Sequence, residues 1–362
     1  MTTHRLYSIV FVVLVSTGLR GADDPPDLKK LFNDGIPRSV SINVIYGYAD
    51  AIVARKDGDT RLDQNTLRLL IFLRGLSGDD KYPNAADADL RRQLSTPLKQ
   101  LRERPWMLWD RCFSIDAKTS ATLARKLLQA HDVDSENARS AGFFLRAMAD
   151  AHVHTGDRAY LKSIADVLSR WAKPERRAKE SVEALLSLAI DADGAARKVR
   201  GTLQTQLREL ASRNDTSFTT MHRDRAKRRP MWDRRSGPTS AAIAVMCMSR
   251  YENTGKTVYR DRVIETADAY LDSLPAEGAE ASPLTFGQVI TLQLAAYRAT
   301  SRPVYFDRAV AIAKIAIVTF FDKGPLPRVR EGADTLVLAF TELHLLTMQI
   351  TVVRAPPNTI DR

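Results

Sequence analysis

The stretch SAGFFLRAMADAHVHTGDRAY, residues 140–160, decides how this chain is read. After Ser140, small residues and large aliphatics recur at helical spacing; the pattern breaks at Thr155-Gly156 and resumes at Tyr160. Two further stretches align with it without gaps, TSAAIAVMCMSRYENTGKTVY (239–259) and TFGQVITLQLAAYRATSRPVY (285–305). In each, Thr155, Thr254 or Thr300 stands fifteen residues after the opening Ser or Thr, and Tyr160, Tyr259 or Tyr305 follows five residues later. A Ser or Thr at a helix start accepts one of the orphan backbone N–H groups, so Ser140, Thr239 and Thr285 are the expected N-caps. The residue after the Thr is Gly156, Gly255 or Ser301; a glycine there takes the left-handed conformation that ends a helix. Each stretch therefore predicts a helical hairpin: a first helix buried on most sides, a tight turn, and an amphipathic second helix with the Tyr packed back on the turn.

A degenerate copy fits residues 181–210, and further helices are expected at 39–55, 63–76, 118–131 and 334–350. Convincing period-two alternation is hard to find, so the fold class is all-α. Repeats of about 45 residues argue for stacked hairpins that share a continuous core.

These motifs resemble the hairpins of the (α/α) toroids, which include the six-hairpin glycosidases, related polysaccharide lyases and sugar epimerases of similar architecture. The resemblance covers roughly residues 39–350 and lies in structural motifs, not catalytic ones. It implies hairpins closing into an (α/α) toroid, with an open α-solenoid as the alternative, and a carbohydrate as the ligand.

The ends add a second layer. Arg5, the apolar run Leu6–Val15 and the small residues before Ala22 read as an export signal over residues 1–22. That run is shorter than the about 20 residues a membrane span needs, and no later segment is long and apolar enough to serve. A linker at 23–38 and a tail at 351–362 would flank the toroid domain, and the product would be periplasmic, cell-envelope or secreted. The net charge of +11 then points to an acidic polysaccharide or another polyanion, with no nucleic acid expected in such a compartment. Two cysteines, Cys112 and Cys247, make no disulfide scaffold; one bridge and two buried thiols both fit.

In a stack of hairpins the tight turns gather at one end and the longer connections, 214–238, 274–284 and 322–333, at the other. Those connections feed helix N-termini, whose partial positive charge favours anions. The first contains KRRPMWDRRSGP (227–238), whose Trp-Asp-Arg repeats that of RPWMLWDRC (104–112). Trp232, Arg228, Arg229, Arg234 and Arg235 are the candidate substrate-binding residues, Trp232 either stacking on a sugar face or plugging the loop against a helix end. His222, Asp233 and Tyr251 are the candidate catalytic residues: a base and cations suit a uronate lyase, a pair of carboxylates a hydrolase. Asp110 and Asp233 each precede an arginine, Arg111 and Arg234. The guanidinium would keep the acid ionised and suits a structural lock better than a proton donor. His152 and His154 lie two apart and so on different helix faces, and His344 follows Glu342 as a core or rim histidine. No zinc, nucleotide or nucleophile-elbow motif is present, so no metal and no cofactor is expected. The class opposed to an enzyme is a non-catalytic helical-repeat protein that presents its basic rim to a protein or envelope polymer.

Overall fold

The computed structural model describes residues 38–54, 66, 69–70, 72–73, 77–94, 122, 124–126, 128–129, 137–223, 232, 240–275, 282–321, 327, 329 and 331–353. Their elements are α1 (Arg38–Val53), α2 (Lys81–Leu94), α3 (Ala138–Thr155), α4 (Ala159–Trp171), α5 (Pro174–Arg177), α6 (Val182–Ala196), α7 (Thr202–Arg223), α8 (Ser240–Thr254), α9 (Thr257–Ala269), α10 (Pro283–Thr300), α11 (Pro303–Phe320) and α12 (Ala333–Val353). Among the described residues there is no strand, and the chain is all-α.

The three aligned stretches form hairpins with one shared turn chemistry. In each, a threonine hydroxyl donates to the carbonyl four residues back: Thr155 to Ala151, Thr254 to Arg250 and Thr300 to Ala296, all at 2.7 Å. The same oxygen accepts from the N–H two residues ahead, on Asp157, Lys256 or Arg302. Between them sits a left-handed residue, Gly156 at φ 72°, Gly255 at 69° or Ser301 at 57°. The hydroxyl thus satisfies one orphan carbonyl and one orphan amide at a point where the helix can do neither. Tyr160, Tyr259 and Tyr305 are all buried at the start of the second helix.

A fourth copy stands nearer the N-terminus, where the sequence shows only a helix over 63–76. Ser77 Oγ donates to Leu73 O, Asp79 N donates back to Ser77 Oγ, and Gly78 has φ 69°. Tyr82 follows five residues on and is 1% exposed. Ser for Thr, and a second helix carrying Pro83 and three aspartates or asparagines between 84 and 89, hide the repeat from alignment.

Two helix starts differ from expectation. Asn137, not Ser140, caps α3, its side chain accepting from Ser140 N at 2.9 Å. Ser282, not Thr285, caps α10, accepting from Thr285 N. In both cases an equally good capping residue lies three positions upstream, and the helix extends to it. Thr239 lies outside the described residues. The connection read as 214–238 is also shorter: α7 runs to Arg223, since neither Gly nor Pro interrupts 202–223.

The first helices of the hairpins pack in a row, α3 on α6, α6 on α8, α8 on α10 and α10 on α12. Glycine permits two of these seams to close. A Cβ on Gly287 of α10 would lie 2.8 Å from the α12 backbone at Thr335 and Leu336, and one on Gly142 of α3 would lie 3.0 Å from Asp191 of α6. Helix α6 is a wall between two cores. It gives Val182 and Leu186 to the core of α8–α12, and Leu185, Leu188, Ala189 and Ala192 to that of α3, α4 and α7. Among the described residues the earliest helix, α1, packs on the latest, α12. Leu69, Leu70 and Leu73 of the fourth hairpin share a core with Leu336, Val337 and Phe340 of α12.

Candidate functional site

Two ends of the helix row carry different chemistry. At the end where the first helices begin, Trp232 is 6% exposed and lies among rings, 5.4 Å edge-on from Tyr270 and 5.3 Å from Phe286. Its indole N–H donates to Ser273 Oγ at 2.8 Å, while Ser273 O accepts from Arg308, whose Nε also donates to Tyr270 O. Burial pushes the Arg308 guanidinium below its ordinary range. These bonds terminate α9 and hold Trp232 on the start of α10. Of the two roles open to Trp232, the structure selects the plug; its burial leaves no face for a sugar.

Arg228, Arg229, Asp233, Arg234 and Arg235 lie outside the described residues, as do Asp110, Arg111 and Cys112. His222 falls in the last turn of α7. Tyr251 is in the last turn of α8, and its hydroxyl bonds Arg260 of α9. Eight residues separate Trp232 from Ser240, where α8 begins, and eleven more separate Ser240 from Tyr251. At 1.5 Å per residue those eleven span about 16 Å. Tyr251 therefore stands at the opposite end of its helix from Trp232, the one described residue of the 227–238 loop.

What surrounds Tyr251 is a chain of charges that sequence inspection passes over. Three of the seams between first helices are pinned near their C-terminal ends by a polar pair. Lys198 pairs with Asp150 across α3 and α6, where Arg146 also lies 3.7 Å from Asp191. Arg250 pairs with Asp193 across α6 and α8, and Arg197 donates to Asn253 on the same seam. Arg298 pairs with Glu342 across α10 and α12. Arg250 is 2% exposed and bonds Tyr259 as well; burial pulls its guanidinium below the usual range.

Glu252 completes the series between α8 and α10, in another manner. It makes no hydrogen bond or ion pair among the described residues, yet it feels the charges of Arg298, Glu342 and Arg197. Crowding by protein raises its carboxyl above the usual range, the nearby Glu342 adds to that, and the two arginines oppose it. Its side chain is nevertheless open to solvent. Its carboxyl is thus both crowded by protein and exposed, and a perturbed carboxyl among arginines is a candidate functional group. Around Glu252 the arrangement supplies an unpaired acid, a second carboxylate, two guanidinium groups and a tyrosine.

The other candidates fall elsewhere. His344 is buried, and His152 Nδ1 lies 3.1 Å from Asp157 O in the first turn motif. Cys247 is wholly buried, and burial drives its thiol up and out of reactive range. Among the described residues no three His, Cys, Asp or Glu side chains are placed to hold a metal, and no helix is long and apolar enough to cross a membrane. No protein family, no curated protein and no solved structure matches this chain.

Proposed function

We propose that the hairpins close into an (α/α) toroid that binds or processes an acidic carbohydrate, as a hydrolase or lyase, in an exported protein. Support for closure comes from the position of α1. Tyr305 donates to Asp268 of α9, the second helix of the preceding hairpin, at 2.7 Å, and Arg302 lies 4.0 Å from the same carboxylate. Tyr82 donates to Asp50 of α1 at 2.9 Å, and Lys81 lies 2.9 Å from Asp50. Helix α1 thus stands to the 66–94 hairpin as α9 stands to α10 and α11, in the second-helix position, and it packs on α12. Counted so among the described residues, α3, α6, α8, α10 and α12 stand as first helices and α2, α4, α7, α9, α11 and α1 as second helices, with the helical residues 66, 69–70, 72–73 and 77 in the first-helix place before α2 and the helical residues 122, 124–126 and 128–129 outside this pairing.

The observation that carries the functional half is the lining of the C-terminal ends of the first helices. Glu252, Glu342, Arg298 and Arg197 replace the apolar side chains that a plugged ring would carry there. Glycoside hydrolysis uses two carboxyl groups, here one of them shifted upward by crowding, and arginines beside them suit a substrate that bears carboxylates. Calorimetric titration with polygalacturonate and with a neutral glucan tests this. Binding of the polyuronate alone, weakening with salt, is the expected result. No uptake of either polymer at low salt would end the carbohydrate reading.

The second reading, a non-catalytic repeat scaffold for a protein or envelope polymer, draws on the burial of Trp232 and on the seam pairs, which fix helix register whatever the ligand. Radius of gyration in solution separates an open solenoid from a closed ring.

A further inference from the structure

The second helices of the hairpins bury one register. Val263, Thr266 and Ala267 of α9 and Tyr270 at its C-cap are buried at spacings of three, one and three, and α4 and α11 repeat the pattern from Ile164 and Ala309. Helix α1 carries it too, in Ile45, Tyr48, Ala49 and Ile52. The residue after Ala267 is Asp268, which accepts from Tyr305 at the start of the following second helix. The residue after Ala49 is Asp50, which accepts from Tyr82 at the start of α2. Burial and bonding therefore give α1 the direction of α9, antiparallel to the first helices, and the first helix it packs on is α12. The two stand to each other as α8 stands to α9 and α10 to α11.

What they lack is the turn. Gly255-Lys256 join α8 to α9, and Ser301-Arg302 join α10 to α11. A link that short keeps two helices at a high effective concentration. Helix α9 is also tied onward to α10, so it cannot leave its place without straining a link at each end. Val53 ends α1 and Ala333 opens α12, so no turn joins those two. The fastening of α1 is light as well. Lys81 and Asp50 lie 2.9 Å apart but are both about half exposed, and an exposed ion pair adds little. The pair of Arg250 and Asp193 across α6 and α8, by contrast, has a buried guanidinium. A helix held in this way belongs to the low end of the range of local opening free energies.

We infer that α12 and α1 form a hairpin completed without a turn, in which α1 is a strap that opens from α12 and closes on it again as a local event while the hairpin row stays folded. Because α1 touches both α12 and α2, its departure loosens the place where the first and last hairpins of the described row meet. The inference rests on the closed-ring reading above, and it does not involve the carbohydrate.

Hydrogen exchange of the full chain, followed by mass spectrometry at several urea concentrations below the unfolding transition, is the test. Residues 45–52 should be protected, but about tenfold or more less than 263–270 and 309–316, and their exchange should depend less on urea, as a local opening does. Asp50→Ala should speed exchange at 45–52 several-fold and leave 263–270 and 309–316 unchanged. Asp268→Ala breaks the same contact on a helix tied at both ends, and should change 263–270 and 309–316 together. If 45–52 in the parent match 263–270 in protection and in urea dependence, the strap is overturned and the closed ring stands. If 45–52 exchange at the rate of an unstructured peptide, α1 does not dock on α12, and the strap and the closed ring both fall.

Discussion

Gly255 and Gly332 both have positive φ, 69° and 76°, at opposite ends of the helix row. A Cβ added to Gly255 would meet nothing within 4 Å; one added to Gly332 would lie 2.4 Å from Leu284 Cβ at the start of α10. The first glycine is needed for the turn alone. The second is needed for the turn and for the approach of another segment. That contrast runs through the molecule. The tight-turn end is built from a local device repeated four times, and the helix-start end from single, unrepeated contacts between distant segments.

The contrast can be broken at either end. Trp232→Ala removes the ring system that seats the loop on α10 and should cost about 3–5 kcal/mol, read from urea unfolding. A loss well under about 1 kcal/mol would show that this end does not depend on its anchor. Gly332→Ala should cost about 3 kcal/mol, adding overpacking against Leu284 to the left-handed backbone penalty. Gly255→Ala, which meets only the backbone penalty, should cost about 1–2 kcal/mol, and the gap between the two glycines measures the difference between the ends.

The tyrosines of the repeat give a smaller effect with a distinct pH signature. Tyr82 and Tyr305 are both pushed up to about 12, first by burial and then by the bond to Asp50 or Asp268. Their folded pKa is above the unfolded value of 10.0, so the stability they confer is whole below pH 10 and drains away as pH rises through about 12. Tyr82→Phe and Tyr305→Phe should each cost about 0.5–1 kcal/mol at neutral pH, because the partner carboxylates are half exposed, and should flatten the alkaline loss in thermal melts. An unchanged alkaline slope would mean that other groups govern it. The smallest effect is a sign. Glu252 has a raised folded pKa, so its deprotonation opposes folding as pH climbs above the ordinary carboxyl range. Arg197 on α6, Arg298 on α10, Glu342 on α12 and Arg260 on α9, which bonds the adjacent Tyr251, are the charged groups around it. Glu252→Gln should make the melting temperature less dependent on pH from weakly acidic to neutral.

The same contrast explains what was legible in the sequence. The turns were, because Thr, Gly and Tyr at fixed offsets each do a local job that no distant residue alters. The copy at Ser77-Gly78-Tyr82 escaped notice when one hydroxyl residue replaced another, though the bonds it makes are the same. The caps at Asn137 and Ser282 could have been found three residues upstream of the aligned starts. The group around Glu252 could not. Arg197, Glu252, Arg298 and Glu342 come from four helices, and each looks like a solvated charge until the helices lie side by side. Trp232 was legible as an oddity of composition, but its partners Tyr270, Ser273 and Phe286 follow it by 38, 41 and 54 positions.

The contact of α1 with α12 has a bearing on how the chain is made. Roughly 280 residues of synthesis separate the end of one helix from the beginning of the other. At 5–20 residues per second, α1 leaves the ribosome on the order of 15–60 s before its partner exists. During that interval Ile45, Tyr48, Ala49 and Ile52, all buried in the finished protein, have only their nearest hairpin for cover. Among the described helices the last to be born shelters the first, so a nascent chain arrested short of residue 333 leaves that face of α1 without the cover of α12. Quality control would meet that face first.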